Sequence, residues 1–298
     1  MKNYILIALL LVLTISCEKE ELNFKGNLTN GFCIVLNDEV ILNHNDFEYY
    51  DYSSHLIFLK NNSSIDYSAE DFGEFQVYAN KKEIYSGQIY PSYSSTLPSG
   101  PILQTHPSFY GDNIVSIGLI LYLDTLGNFL PDPREDERIV DALKKYDQFR
   151  AGLSCEIKSV QYESSTQVKV ELLLKNNDAF NYYYIDPEKT GMGLFHYFTN
   201  GLFIRNFNTH ESYTHKIETV SPDPWNTWEK DWLSVINGNE SKVITIVYDN
   251  FEEVPNGQYK AFFEFPGLRS QVDRNDISQD NGQIWLGELN MSKEITIE

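Results

Sequence analysis

The chain has 298 residues, of which 42% are apolar and 22% are charged, as in an ordinary globular protein of about two domains. Acidic residues outnumber basic ones by 43 to 23, giving a formal net charge of -20. This charge repels phosphate backbones and argues against nucleic acid as a partner. A mean hydropathy of -0.37 excludes a polytopic membrane protein, and an aromatic content of 14% favours β-structure.

Residues 1–16 have the organisation of a signal peptide. A short segment containing Lys2 precedes an apolar run from Tyr4 to Ile15, whose twelve residues are too few to span a bilayer. The run ends at Ser16-Cys17 and resembles the lipobox of bacterial lipoproteins, in particular those of Bacteroidota. The resemblance implies cleavage before Cys17 and lipidation of this cysteine. The alternative is a plain secretory signal that contains a cysteine by chance.

Lipidation of Cys17 predicts an outer-membrane location. Each buried CH₂ group of an acyl chain contributes about 0.8 kcal/mol, so three chains hold a protein on a bilayer almost permanently. The residues Glu18-Lys19-Glu20-Glu21 resemble the acidic export signal of surface lipoproteins, which implies the cell surface, with the periplasmic face as the alternative. Residues 17–26 are polar and are predicted to form the lipidated tether. The membrane partner is therefore reached through the lipid alone.

Two thiols remain after cleavage and lipidation, Cys33 and Cys155. An oxidising compartment permits a disulfide between them, which would clamp two predicted domains together. The alternative is two separate buried thiols that pack as small apolar groups.

Residues 27–150 are predicted to form an N-terminal β-rich domain with one amphipathic helix. Asn37-Asp38-Glu39 and Asn80-Lys81 each separate two short apolar segments, the pattern of a β-hairpin. Asp132 and Pro133 are typical of a helix N-terminus, and Glu135 completes a capping box. The apolar side chains that follow predict a helix over 133–149 with one buried face, formed by Ile139, Ala142, Leu143, Tyr146 and Phe149.

Residues 151–298 are predicted to be entirely β. Apolar residues alternate from Val168 onward, and later β-branched segments are separated by turns at fairly regular spacing, as in a sandwich. The segment from Leu233 to Phe263 resembles the last strands of bacterial immunoglobulin-like domains in its two turns, with Gly238, Glu240 and Ser241 in one and Asn256, Gly257 and Tyr259 in the next. The resemblance implies an immunoglobulin-like β-sandwich. Such sandwiches host many functions, so it indicates the fold alone.

The sequence contains no recognisable catalytic motif. His210 and His215 are five residues apart rather than the four that place two zinc ligands on one helical face. The acidic segment 124–128, which is followed by Asp132, Glu135 and Asp136, lacks the EF-hand spacing, although a calcium site of another kind is an alternative. The sequence offers no nucleophile elbow or phosphate-binding loop. We therefore predict a protein that is not an enzyme and uses no metal or cofactor.

Three tryptophans give the best indication of binding. Trp225, Trp228 and Trp232 follow Asp223-Pro224, and their spacing of three and four predicts a single stripe on a helix. The stripe either seals the edge of the sandwich core or presents an exposed platform for sugars or a protein partner.

These observations predict a mainly β, lipid-anchored envelope protein that binds a glycan, peptide or protein partner without catalysis. One alternative is an inhibitor or immunity-type protein that masks another protein, since strong negative charge suits such a decoy. Another is an envelope hydrolase, which would need two carboxylates converging in a cleft.

Overall fold

The computed structural model describes residues 28–60, 65, 73–91, 94, 98–105, 110–120, 122–268 and 272–298. The predicted signal peptide, the lipidation site Cys17 and the tether 17–26 lie outside the described residues. Within those ranges, no helix combines the length and the apolar character needed to cross a bilayer. The fold is mainly β, with several sheets and few helices, which confirms the predicted fold class.

The described strands between residues 32 and 150 form a single sheet. They are β1 (Phe32–Leu36), β2 (Glu39–Asn43), β3 (Phe47–Asp51), β4 (Leu56–Leu59), β5 (Glu74–Ala79), β6 (Lys82–Pro91), β7 (Pro101–Thr105), β8 (Ile114–Leu119) and β9 (Phe149–Arg150). Their order across the sheet is β2-β1-β5-β6-β7-β8-β4-β3-β9. The β6–β7 and β3–β9 pairs are parallel, and the other pairs are antiparallel.

Both predicted hairpins of this sheet are confirmed. β1 pairs with β2 and β5 pairs with β6, each in the antiparallel direction. The turn residues Asn37-Asp38 have φ of 47° and 61°, and Asn80-Lys81 have φ of 50° and 66°. Two successive positive φ angles form the type I′ turn, whose twist matches that of the flanking strands, and asparagine tolerates this conformation well.

The predicted helix over 133–149 is wrong in its extent. Residues Pro133–Glu135 form one 3₁₀ turn, and α1 (Glu137–Lys144) begins only after Asp136, whose backbone is extended. The Asp136 carboxylate accepts a hydrogen bond from a backbone N–H of the first turn of α1 at 2.8 Å, so a second N-cap interrupts the helix.

Three of the five residues of the predicted helical face lie on α1, and the other two lie beyond its end. Ile139, Ala142 and Leu143 are buried against the sheet, as predicted. Tyr146 lies in the turn after α1, and Phe149 belongs to β9. The periodicity was therefore correct for two turns of helix and did not extend into the strand that follows.

The described residues of the C-terminal half form three further sheets. Its strands are β10 (Leu153–Tyr162), β11 (Val168–Asn176), β12 (Asn181–Ile185), β13 (Gly201–Arg205), β14 (Ser212–Thr214), β15 (Leu233–Ile236), β16 (Ser241–Tyr248), β17 (Gly257–Pro266), β18 (Ser278–Gln279), β19 (Gly282–Ile284) and β20 (Glu288–Ile297). The sheet orders are β10-β11-β16, β15-β12-β19-β18 and β14-β13-β17-β20. Two short helices accompany them, α2 (Pro187–Phe195) and α3 (Arg274–Ile277).

All three sheets contribute side chains to one hydrophobic core. Val170 of β11, Tyr184 of β12 and Phe263 of β17 are buried in it. The architecture is therefore of the β-sandwich type, and the closer resemblance to immunoglobulin-like domains stays a prediction. Residues Leu56 and Phe58 of β4 also join this core, so the two halves of the molecule share buried apolar surface.

The disulfide considered between Cys33 and Cys155 is not formed. Both side chains are free thiols. Cys33 lies on β1 in a small buried cluster with Val35 and Tyr78, whereas Cys155 lies on β10 and packs against the C-terminal core. The two cysteines belong to different sheets and different clusters, so the second alternative, separate packed thiols, is the one that the structure adopts.

Candidate functional site

A cleft of about 620 Å³ opens where the nine-stranded sheet meets the C-terminal half. The turn after β3 and the 3₁₀ turn before α1 supply one side of it, and residues 287–290 supply the other. Most of its lining side chains carry hydroxyl, amide or charged groups, and Tyr110 and Phe129 add aromatic rings. We refer to this site as the junction cleft.

The turn after β3 is shaped by the carboxylate of Asp51. Its Oδ1 accepts hydrogen bonds from the backbone N–H of Ser53 at 3.0 Å, the hydroxyl of Ser53 at 2.7 Å and the backbone N–H of Ser54 at 3.3 Å. Such a turn, organised by an aspartate, holds the backbone tightly. It places His55, whose φ is 54°, at the wall of the junction cleft.

His55 is buried and neutral. Its Nδ1 lies 2.9 Å from the hydroxyl of Tyr50, and its Nε2 lies 3.7 Å from Oδ2 of Asp132. The pKa of His55 is lowered to about 3, mainly by burial and also by the guanidinium of Arg134, while Asp132 partly opposes both. At neutral pH the imidazole therefore offers hydrogen-bonding capacity rather than charge.

Asp132 and Arg134 form a buried ion pair beside this imidazole. Nη2 of Arg134 lies 2.6 Å from Oδ2 of Asp132, its Nε lies 3.0 Å from Oδ1, and its Nη1 donates to the carbonyl of Ile117 at 2.6 Å. Burial alone would raise the pKa of Asp132, but the hydrogen bonds and charge of Arg134 outweigh it and hold that pKa below its usual value. Asp132 is thus ionised and fixed in place.

Glu135 is exposed, and its pKa is shifted in the opposite direction to that of Asp132. Desolvation of its carboxyl group raises the pKa of Glu135, and the charge of Asp132 raises it further. The junction cleft therefore holds two neighbouring carboxyl groups whose environments move their pKa values apart.

The donor atoms of His55, Asp132 and Glu135 lie within 4.8 Å of one another, close enough for a metal ion to bridge them. Both oxygens of Asp132, however, already accept hydrogen bonds from the side chain of Arg134. A guanidinium in this position neutralises the carboxylate that a divalent cation would need. The arrangement is better described as an ion-pair network than as a cation site.

The tryptophan stripe predicted after Asp223-Pro224 is wrong in its geometry. The only helical segment there is a 3₁₀ turn, Lys230–Trp232, and the residue before it, Glu229, is extended, so no continuous helix aligns the three indoles. Trp225 is 68% exposed, while Trp228 and Trp232 are partly buried against the C-terminal core. Trp228 and Trp232 thus help to seal the core, and of the three tryptophans only Trp225 presents an exposed aromatic ring.

The segment from His210 to His215 is not helical, and its residues Ser212–Thr214 form β14. His210 is exposed at the tip of a turn with φ of 61°, and His215 forms an isolated bridge with Phe251 instead of a helix. The ring of His215 lies against that of His196, with centroids 4.0 Å apart.

In the acidic segment considered for calcium, Asp124 accepts hydrogen bonds from the backbone N–H groups of Leu126 and Asn128, so its carboxylate shapes its own turn.

No family model, curated protein or solved structure matches this chain. Of the central residues of the junction cleft, His55 was not singled out by the sequence. Asp132 and Glu135 were noted only as helix-cap residues and as members of an acidic stretch considered for calcium. The sequence carries no signal that Arg134, which lies between them, is buried.

Proposed function

We propose that the protein is a lipid-anchored envelope protein that binds a glycan in the junction cleft without transforming it. The observation that carries this proposal is the cleft itself, a concave space of about 620 Å³ lined by polar groups from both halves of the molecule. Ligand sites of this kind are concave, largely preformed and furnished with a few convergent polar groups.

The chemistry of the lining favours a glycan over an apolar peptide. Carboxylates at Asp132, Glu135 and Glu288 accept hydrogen bonds from sugar hydroxyls, and amides at Gln104 and Asn290 donate and accept them. The ring of Tyr110 provides a flat face of the kind that packs against the apolar side of a sugar. An amphipathic peptide would instead need a continuous apolar groove.

The anchor is the part of this proposal that rests on sequence alone. Acylated Cys17 would hold the body at the outer membrane through the tether 17–26, facing the cell surface or the periplasm. The net charge of -20 supplies no attraction to anionic headgroups. Mass spectrometry of the native protein tests it: an acylated N-terminal Cys17 supports the anchor, and an unmodified thiol contradicts it.

Binding is tested on a glycan array with the mature chain carrying Cys17→Ser. We expect binding that weakens at least about tenfold in Glu135→Ala, because a charged hydrogen-bond acceptor is lost. Glu137→Ala is the matched control, since it removes the same charge from an exposed position two residues away. Equal affinity of both variants, or no bound glycan, would exclude the junction cleft as the site.

One observation favours hydrolysis as a second candidate function. Asp132 and Glu135 are close carboxyl groups whose pKa values are shifted in opposite directions, as those of the two catalytic carboxyl groups of a glycosidase are. Chromatography of a bound oligosaccharide after prolonged incubation separates the two functions. Cleavage that is lost in Glu135→Gln while binding remains would establish a hydrolase, and an intact oligosaccharide would leave the binding function.

A further inference from the structure

The outer face of the sheet β14-β13-β17-β20 carries two opposed cations. Leu202, Ile204, Ala261 and Phe263 face the C-terminal core, so the alternate positions of β13 and β17 face away from it. On that outer face Arg205 is directly opposite Lys260 in the antiparallel register. Like charges in such a pair destabilise a sheet unless something neutralises them.

Within the described part of the chain, no carboxylate forms an ion pair with either cation. Nε of Arg205 is buried and has no hydrogen-bond partner there. Lys260 is only 8% exposed, and its ammonium group donates to a neutral acceptor, the side-chain oxygen of Asn128, at 2.7 Å. Glu294, the register partner of Lys260 on β20, is exposed and makes no ion pair with it.

A pocket of about 310 Å³ lies over these two side chains. Leu126, from the turn between β8 and α1, covers one side, and its own side chain is 72% exposed. Asn208, Gln258 and Thr296 add hydrogen-bonding groups to the lining. The guanidinium of Arg205 lies 5.1 Å from the ring centroid of Phe207, an arrangement that holds its planar group in position.

We propose that this pocket binds the carboxylate of an acidic sugar. The guanidinium of Arg205 matches a carboxylate with two parallel hydrogen bonds, and Lys260 supplies a second positive charge opposite it. The lining residues Glu294, Asn208, Gln258 and Thr296 are suited to the hydroxyl groups of the sugar ring. A bound carboxylate would also remove the repulsion between the two cations.

The rest of the molecule restricts the ligand to a short one. A net charge of -20 repels a long polyanion. A single carboxylate bound beside Arg205 and Lys260 is screened from charges more than about 8 Å away at physiological salt, and Glu294 is the acidic side chain in the pocket lining. An inorganic anion would leave the hydrogen-bonding side chains unused. This inference does not depend on the junction cleft, since the two sites share no lining residue.

Isothermal titration calorimetry of the mature Cys17→Ser chain tests the proposal with galacturonic acid, galactose and acetate. We expect galacturonic acid to bind with a dissociation constant of roughly 1 mM or tighter. Galactose and acetate should bind at least about tenfold more weakly, because each lacks one part of the recognised group. Equal binding of acetate, or no binding of galacturonic acid, would overturn the proposal.

Variants locate the binding. Arg205→Gln and Lys260→Met should each weaken galacturonic acid at least about tenfold, and Arg138→Gln, an exposed arginine on α1, is the matched control for charge. Unchanged affinity in both pocket variants would overturn the site. A third measurement needs no substitution: the Nε–H resonance of Arg205 in the unmutated body should shift with galacturonic acid and not with galactose. An unmoved resonance would contradict the proposal even if both variants failed to fold.

Discussion

The indole N–H of Trp285 donates a hydrogen bond to the hydroxyl of Ser53 at 3.0 Å, across 232 positions of the sequence. The same hydroxyl donates to the Asp51 carboxylate at 2.7 Å and accepts from the backbone N–H of Leu153 at 3.2 Å. One small side chain therefore ties a turn of the N-terminal sheet to the first strand and to the largest buried residue of the C-terminal half. It also sets the position of the turn that forms one wall of the junction cleft.

We expect Ser53→Ala to destabilise the protein by about 1–3 kcal/mol, because the fully buried indole N–H would lose its partner. Ser54→Ala is the natural control, since the Ser54 hydroxyl makes only a long contact of 3.5 Å with the carbonyl of Asp51. Urea denaturation of both variants measures the difference. If Ser53→Ala and Ser54→Ala unfold at the same urea concentration, the hydrogen bonds of the Ser53 hydroxyl do not contribute to stability as described.

Asp51 gives the fold a pH dependence of the less common sign. The pKa of Asp51 is raised from 3.8 to about 6, because the effect of burial exceeds that of the opposing hydrogen bonds from Ser53. Because the folded pKa lies above the unfolded one, the stabilisation is complete below pH 4 and is lost as pH rises through about 6. The loss amounts to at most about 3 kcal/mol.

The substitution Asp51→Asn removes this titration while retaining an oxygen acceptor for Ser53. At each pH we compare the free energy of unfolding of the variant with that of the unmutated chain. We expect this difference to favour the variant more at pH 8 than at pH 4. Free energies of unfolding measured at several pH values between 4 and 8 check this. Parallel profiles for the two proteins would show that the Asp51 carboxyl group does not titrate in this range.

The elements that were predictable from the sequence carry local signals. The hairpin turns at Asn37 and Asn80 need only residues that tolerate positive φ, and the alternation along β11 reflects burial on one face. The extent of α1 was less predictable because Asp136 competes with Asp132 for the role of N-cap. Both are good caps, and the structure uses both, with Asp132 capping the 3₁₀ turn and Asp136 capping α1.

The candidate sites depend on contacts that no local pattern records. His55 becomes part of the junction cleft because a turn centred on Asp51 delivers it to Asp132, far along the chain. Arg205 and Lys260 oppose each other only through the register of β13 and β17. A one-residue shift in that register would place one of them on the other face, so the pocket follows from the fold rather than from a motif.

His196 should make the protein sensitive to acid. The pKa of His196 is lowered from 6.5 to about 4, mainly by burial and also by the neighbouring His215. Because the folded pKa lies below the unfolded one, this contribution to stability is complete above pH 6.5 and declines by up to about 3 kcal/mol as pH falls toward 4. NMR titration of the imidazole checks the assignment: a midpoint near 6.5 would contradict it, and a midpoint near 4 is expected.

Gly152 allows the chain to pass from β9 to β10 close to the side chains of Ser53 and Asp51. Its φ is +71°, and an added Cβ would collide with Oγ of Ser53 and lie 2.5 Å from Oδ1 of Asp51. Gly152→Ala should therefore cost about 3 kcal/mol or more, combining backbone strain with a steric collision. Gly100→Ala isolates the first effect, because Gly100 has φ of +90° and nothing within 4 Å of the new carbon, so about 1 kcal/mol is expected. Thermal unfolding measures the stability that each variant loses. An equal loss would mean that Ser53 and Asp51 move to accept the new methyl group.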